Sequence, residues 1–513
     1  MRKWIALLAV CLGSLMLLVD VTIVNIALPK MAIELHASFT SLQWVIDIYA
    51  IALAALLLGA GAVADRVGRK RVYLAGLLLF AISSLCGGLA PGTATLIVAR
   101  GIQGVGAAGM FATTIALINA SYEGRDRGIA FGAWGAVNGA AAAAGPIAGG
   151  LLTQALSWRW IFFVNLPITV ATVALSLRAL PHEPRRYGPR IDVFGIAVFT
   201  LAVGALTYAL TRAPGVGWTA TETEALLAIA AAALIAFIVR QGRAANPIVE
   251  LSLLRRPAFS GVMAASLLLG VAAFAYLPFS SLWLQTIRGM RPIDAGLALV
   301  PLSVAALVSA LAVGRMLHGR SARWLITAGF SLIGAGALLQ AHLASGSSWK
   351  SLAPGLIVTG LGVGLASPTI ASAALEAAPR DRGGMAAGAV NTMRQLGYAL
   401  GIAVLGAIGQ ARISNILRRH ELGHASRVAA DLIGGQAQAL VAHAPPVERG
   451  ALSAAIHAAF ASGLDAALLT AGGLGIAAAA LVALTVRAGT SAVARPSLGK
   501  DPVGCSELEA AER

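Results

Sequence analysis

Apolar residues along this chain come in long uninterrupted runs and not in alternation. Runs of bilayer length lie near residues 4–28, 42–63, 72–90, 94–119, 129–152, 160–180, 191–211, 223–240, 258–284, 293–313, 324–343, 350–374, 385–411 and 460–486. A helix needs about 20 such residues to cross the hydrocarbon of a bilayer, so the pattern predicts fourteen spans. The short alternating segments of a membrane β-barrel do not occur. The predicted class is an all-α polytopic membrane protein. The start, Met-Arg-Lys followed by apolar residues, resembles a secretory leader. The run to Leu28 is too long for a leader core and no clear cleavage site follows, so it reads as the first span.

Composition agrees. The chain is 58% hydrophobic and only 12% charged, against roughly 25% charged in a soluble domain. Its 58 glycines suit helices that pack closely in lipid. The net charge of +16 raises the possibility of nucleic acid, but the placement of the charges argues for topology instead. With a cytoplasmic N-terminus, 25 of the 38 Lys and Arg residues fall in cytoplasmic segments and 11 outside, with Arg100 and Arg394 inside spans. The positive-inside rule then puts both termini in the cytoplasm of a cell whose inner membrane holds the chain. Five of the outer charges lie in the segment 412–459, whose "RVAADLIGGQAQALVAHAPP" suggests a short helical hairpin on the outer surface.

Several chemistries drop out. The three cysteines have no metal or redox spacing, and none of the eight histidines stands in a metal-like or triad-like pattern. A membrane enzyme or receptor is thus disfavoured. No G-x-x-x-x-G-K-[ST] phosphate loop is present. Active transport would therefore draw on an ion gradient, with no cofactor.

The chain also repeats itself. "GAVADRVGRKRVYLAG" (61–76) aligns without gaps to "GRMLHGRSARWLITAG" (314–329), and "RDRG" at 125–128 recurs at 380–383. The offsets, 253 and 255, relate the loops after spans 2 and 4 to those after spans 10 and 12. A six-helix unit duplicated in parallel, with two helices between the copies, accounts for this and is a transporter architecture. The expected organisation is an N-terminal bundle over 1–180, a linker with spans 7 and 8 over 181–257, a C-terminal bundle over 258–487 and a tail over 488–513.

Five motifs carry a family resemblance over nearly the whole chain. They are "LVDVTIVNIALP" in span 1, "GAVADRVGRKRVYLAG" after span 2, "LIVARGIQGVGAAG" (96–109) in span 4, "GPIAGG" (145–150) in span 5 and "WRWIFFVNLP" (158–167) at the junction of spans 5 and 6. In that order and at those positions they resemble the fourteen-helix drug:proton antiporters of the major facilitator superfamily, multidrug and quaternary ammonium exporters. The resemblance implies two six-helix bundles, proton-coupled efflux of lipophilic, cationic compounds by alternating access, and a monomer in the lipid bilayer.

Candidate site residues follow. Asp20 lies roughly 13 Å below the outer end of span 1 and Arg100 roughly 10 Å into span 4. Intramembrane ionisable residues are functional by default, and a carboxylate in a low-dielectric cavity can exchange protons. Asp20 is the expected proton carrier, Arg100 its partner, and Asp47 in "WVIDIYA" a second acid that faces the substrate or pairs near the surface. Asp465 and Arg394 are two further intramembrane charges. Asp65, with Arg66, Arg69, Gly61 and Gly68, is a candidate conformational latch, since a carboxylate accepts bonds from an arginine or a helix N-terminus in one state only. Glu376 with Arg380 and Arg382 reads as a surface cluster. In "GPIAGG", Gly145, Gly149 and Gly150 allow close packing and Pro146 loosens the helix; by resemblance the motif marks export. Candidate substrate contacts, beside Asp20 and Asp47, are Asn25, Gln43, Trp44, Tyr49, Trp134, Asn138, Phe274, Tyr276, Gln285, Asn391 and Arg394. Where family members often carry acids, span 13 reads "AVNTMRQLGYALG", in which Arg394 could neutralise an acid or contact an anionic substrate. The competing readings are an exporter of an endogenous metabolite such as an amino acid, sugar or siderophore, and an uptake symporter.

Overall fold

The computed structural model describes residues 2–35, 39–181, 192–244, 247, 251–316, 321–343, 346–379, 383–419 and 449–486, with short pieces between 428 and 445. The expected outer hairpin lies largely outside these residues, as does the tail from 487 onward. Fourteen long helices run through the described chain: α1 (Ile5–Glu34), α2 (Phe39–Val67), α3 (Arg69–Gly88), α4 (Thr93–Ser121), α5 (Gly124–Ala155), α6 (Trp160–Ala179) and α7 (Val193–Val216). They continue with α8 (Thr221–Arg243), α9 (Pro257–Ile287), α10 (Pro292–Met316), α11 (Ala322–Gln340), α12 (Ala353–Ala377), α13 (Gly383–Arg419) and α14 (Arg449–Thr485). Among the described residues, thirteen of them are long and apolar enough to cross a membrane. The remaining one, α5, is a 32-residue helix rich in Ala and Gly that packs against α1 and α10.

Glycine sets how closely these helices approach, and it does so in duplicate. A methyl group on Gly76 of α3 would sit 2.7 Å from the Gly106 carbonyl oxygen of α4; one on Gly329 of α11 would sit 2.8 Å from that of Gly362 of α12. The seams between the halves repeat in the same way. Gly132 of α5 abuts the Ala310 carbonyl of α10, and Gly388 of α13 abuts the Leu57 carbonyl of α2. Since 388 − 132 is 256 and 310 − 57 is 253, the two seams are related by the register of the sequence repeat. An approximate two-fold operation therefore exchanges α5–α10 with α13–α2.

Both close contacts lie toward the end of the molecule that carries the basic loops, here termed the basic face. On that face Gly68 joins α2 to α3 with φ +107°, a conformation that favours glycine. Helices α1 and α9, the pair that would close the opposite face, share no extensive packing among the described residues. The extra hairpin α7–α8 stands beside the seam. Its α7 packs on both α2 and α13, with the Thr200 hydroxyl donating to the Ala55 carbonyl at 3.3 Å and Trp44 against Tyr208 at a tilt of 30°.

Asp192 caps α7 through the Gly195 N–H at 3.0 Å and ties it to Arg240 of α8 at 3.1 Å. Burial raises its pKa, but the bonds from Arg240 and the Gly195 amide outweigh that and hold the carboxyl below the usual range. A depressed folded pKa means the cap adds stability at neutral pH that is lost as pH falls through that lowered value.

The packing argument separates two neighbouring glycines of α14. A side chain on Gly475 meets the Gly334 backbone of α11, where a Cβ would lie 2.8 Å from Cα, whereas Gly473 faces open space. Gly475→Leu is expected to lower stability by about 1–3 kcal/mol through overpacking. Gly473→Leu is expected to be neutral or slightly stabilising. Thermal unfolding of the two variants in detergent micelles, side by side, checks this; equal destabilisation contradicts it.

Candidate functional site

The N-terminal half holds a buried polar cluster centred on Asp20 of α1, which is 1% exposed. Arg100 of α4, equally buried, pairs with one carboxylate oxygen. Its Nε donates to the Val45 carbonyl of α2 at 3.1 Å, and it donates to Gln103 Oε1 at 2.7 Å. The other carboxylate oxygen accepts from Gln103 Nε2 at 3.0 Å and Asn165 Nδ2 of α6 at 3.2 Å. Both amides also reach Ser84 Oγ of α3, at 2.8 and 3.3 Å. Tyr49 of α2 lies under the guanidinium, 4.2 Å from ring centroid to Arg100 Cζ. A carboxylate and a guanidinium can share a membrane interior when each is paired and bonded like this.

The site thus joins five helices of one half. Asp20 and Arg100 come together as their sequence positions suggested. Gln103, Ser84 and Asn165 were not anticipated as ligands of Asp20. Gln103 and Asn165 were nevertheless inside quoted motifs, and Gln103 is one turn from Arg100, on the same face.

The C-terminal half carries the same constellation without charge. Gln340 Nε2 of α11 bonds Tyr276 Oη of α9 at 3.1 Å and Thr359 Oγ1 of α12 at 3.3 Å. These three positions are those of Ser84, Asp20 and Gln103 displaced by 256 residues in each case. Tyr276 is therefore buried and bonded within its own bundle.

Other candidates also settle into packing. Tyr49 supports Arg100, and Trp44 meets α7. Trp134 Nε1 donates to Ser14 of α1 at 3.0 Å, and Gln285 to Ser281 at 2.9 Å. Phe274 packs on the larger apolar core. Asp465 accepts the Leu343 N–H at 2.9 Å, which separates it from the Asp20 cluster. Asn391 of α13 crosses between the halves to the Phe111 carbonyl of α4 at 3.2 Å. Arg394, one turn on, donates to Asn391 at 3.1 Å and sits 5.1 Å from the Phe111 ring. Asn138 of α5 is buried at both amide atoms with no partner. The side chains of Asn25, Gln43, Asp47 and Pro146 lie outside the described part, although the helices run through all four positions.

On the basic face, Asp65 accepts from Arg69 at 3.4 Å and from the Met385 N–H at 2.8 Å. The second bond is to the first turn of α13, in the other half, whose N–H groups have no partner within their own helix. A side chain on Gly383 would press on the Arg69 guanidinium. Glu376 of α12 accepts from Ser372 at 3.4 Å, with Arg127 of the other half as a favourable charge nearby. Gly61 is buried and Arg66 partly so. In the α5 motif, a side chain on Gly145 would strike Thr22 of α1, and one on Gly150 would meet Ile293 of α10 at 2.7 Å. Gly149 is buried beside it. This stretch wedges α5 between its own half and the other.

Residues 10–402 match the family model described as the Major Facilitator Superfamily. The chain is 35% identical to "Multidrug resistance protein Stp" of Mycobacterium tuberculosis, covering 81% of this chain and 78% of that protein. It is 32% identical to the "Tetracenomycin C resistance and export protein" of Streptomyces glaucescens over 95% and 92%. It is 35% identical to "Puromycin resistance protein pur8" of Streptomyces alboniger over 83% and 86%. The human organic anion transporter MFSD10 shares the fold, with a TM-score of 0.61 at 16% identity over 94% of this chain and all of that one.

The Asp65 bond predicts a state-dependent contact. Asp65→Asn keeps the shape but removes the charge that the α13 N-terminus favours. The variant is expected to expose the basic-face ends of α2 and α13 more often, read as faster thiol labelling of a cysteine placed at Leu57. Labelling at the wild-type rate rejects a latch role.

Proposed function

The chain belongs to the major facilitator superfamily of membrane transporters, and we propose that it exports lipophilic small molecules, drugs or antibiotics, in exchange for protons. It is a transporter and not an enzyme. The observation that carries the coupling is the buried Asp20–Arg100 pair with its amide ligands. A proton on Asp20 cancels the negative charge that Arg100 answers. Arg100 keeps its bonds to Val45 and Gln103, so what is lost is the ionic link between α1 and α4, leaving the neutral bond from Gln103 Nε2. Protonation state is thereby tied to the relative position of two helices in one half, as a coupled cycle requires. The proton gradient is the energy source, with no cofactor.

The basic face is assigned to the cytoplasm by the charge asymmetry of the loops. With the seam shut there by Asp65, Gly132 and Gly388, this conformation opens outward. Loading from the cytoplasm needs the Asp65–Met385 bond to break while the opposite face closes. The names of the relatives, three of them resistance or export proteins, favour drugs over an endogenous metabolite. A narrow substrate profile would favour the metabolite. A single copy contains both bundles, which supports a monomer working in the inner membrane.

Inside-out vesicles with an acidified lumen test the coupling. Addition of an exported compound should release protons, read by a pH-sensitive dye. Asp20→Asn should abolish that release. Undiminished release from the variant would remove Asp20 from the cycle.

A further inference from the structure

We propose that the seam between the halves selects substrates that carry an ionised acidic group, a carboxylate or phenolate on a lipophilic frame, with the Arg394 guanidinium as the anchor. The proposal rests on the exporter reading and names the substrate class of the same transporter.

The two intramembrane arginines are treated in opposite ways. Arg100 has a carboxylate, an amide oxygen and a backbone carbonyl. Arg394 has five donors and, among the described residues, one partner, the neutral Asn391. Its other neighbour is the face of Phe111, on the opposite half. An arginine keeps its charge, and a charge within the bilayer calls for a partner. The one missing partner chemistry is an anion.

A second observation lies on the facing half. Asn138 buries both amide atoms without a bond among the described residues, and an unmet buried amide is costly. It stands one turn beyond Gly135 of α5, where a Cβ would contact Pro368 and Ala310 of the other half. The α13 side therefore offers a cation with Phe111 of α4 as an apolar wall, and Asn138 leaves an open amide at the separate α5–α10 seam. The described carboxylates are committed elsewhere. Asp20 is saturated within its own half, and Asp65 and Glu376 are engaged at the closed basic end. A lipophilic acid supplies what Arg394 lacks.

The test uses the purified full-length protein in detergent and a matched series: 1-naphthylacetic acid, its methyl ester, and 2-(1-naphthyl)ethylamine. Equilibrium binding is read by tryptophan quenching. The acid is expected to bind at least about tenfold tighter than ester or amine. Arg394→Gln should erase that preference while ester affinity stays within about threefold. Arg394→Met, a second neutral replacement, should do the same. Equal or better binding of the ester or amine to the wild type overturns the proposal. So does an acid preference that survives in whichever variant folds by circular dichroism. Binding needs no gradient, so acid-selective binding without substrate-driven proton release in vesicles would sink the exporter reading and leave this one standing.

Discussion

Helices in a bilayer gain little by hiding apolar faces from lipid, because lipid is itself apolar. What they gain comes from close contact, and close contact needs an absent side chain. That constraint organises this molecule. Gly76 with Gly106 and Gly329 with Gly362 press backbone on backbone inside each half. Gly132 and Gly388 do the same across the seams. Because these contacts recur at offsets of 253 to 256, the duplicated unit carried its packing rules with it, and the two halves meet through equivalent surfaces.

Once the halves share a scaffold, their differences become informative. The same three positions hold Asp20, Ser84 and Gln103 in one half and Tyr276, Gln340 and Thr359 in the other. A phenol in place of the carboxylate keeps the hydrogen-bonding geometry and discards the charge. Removing one partner of a buried ion pair costs about 3–5 kcal/mol, so the pair ties α1 to α4 strongly. Rearranging a neutral cluster has no link to proton concentration. The duplication thus produced one half with a buried ion pair and one half with a neutral cluster at the same positions.

Much of this was legible in the sequence, and the limits have a physical origin. Spans of 20 apolar residues, basic loops and the repeat are signals of composition and spacing, and they survive translation into structure. The Asp20–Arg100 pairing was legible too, since two opposite charges in hydrocarbon have few alternatives to each other. Polar partners such as Ser84 and Asn165 gave no comparable signal, because a hydroxyl or amide in a helix can bond its own backbone or face anything. Extending the 253–255 register from the loops into the spans takes Asp20 to residues 273–275, one short of Tyr276, so the repeat pointed to the neighbourhood of the second cluster and not to its residue. The aromatic candidates were hard to place for a different reason. Helices that are apolar on every side, toward lipid and core alike, do not show which face is inward. Trp44, Tyr49 and Trp134 therefore could not be assigned to a pocket, and each turned out to brace a helix.

The division between the halves also explains why a fixed positive charge belongs on α13. If Asp20 alone exchanges protons, the half that carries it changes charge during the cycle. A substrate anchored on the opposite half, at Arg394, then feels that change across the seam and not by direct competition for one carboxylate. Asn391, which bonds the Phe111 carbonyl of α4, and Arg394, which lies over the Phe111 ring, put the anchor against the same helix that bears Arg100. Any shift of α4 that follows loss of the Asp20–Arg100 link displaces Phe111, and with it the floor beneath the guanidinium. Coupling between proton and substrate needs no shared ligand in this arrangement. On the proposed assignments it needs one rigid helix, α4, with Arg100 near one end and Phe111, the proposed wall of the substrate site, three turns away.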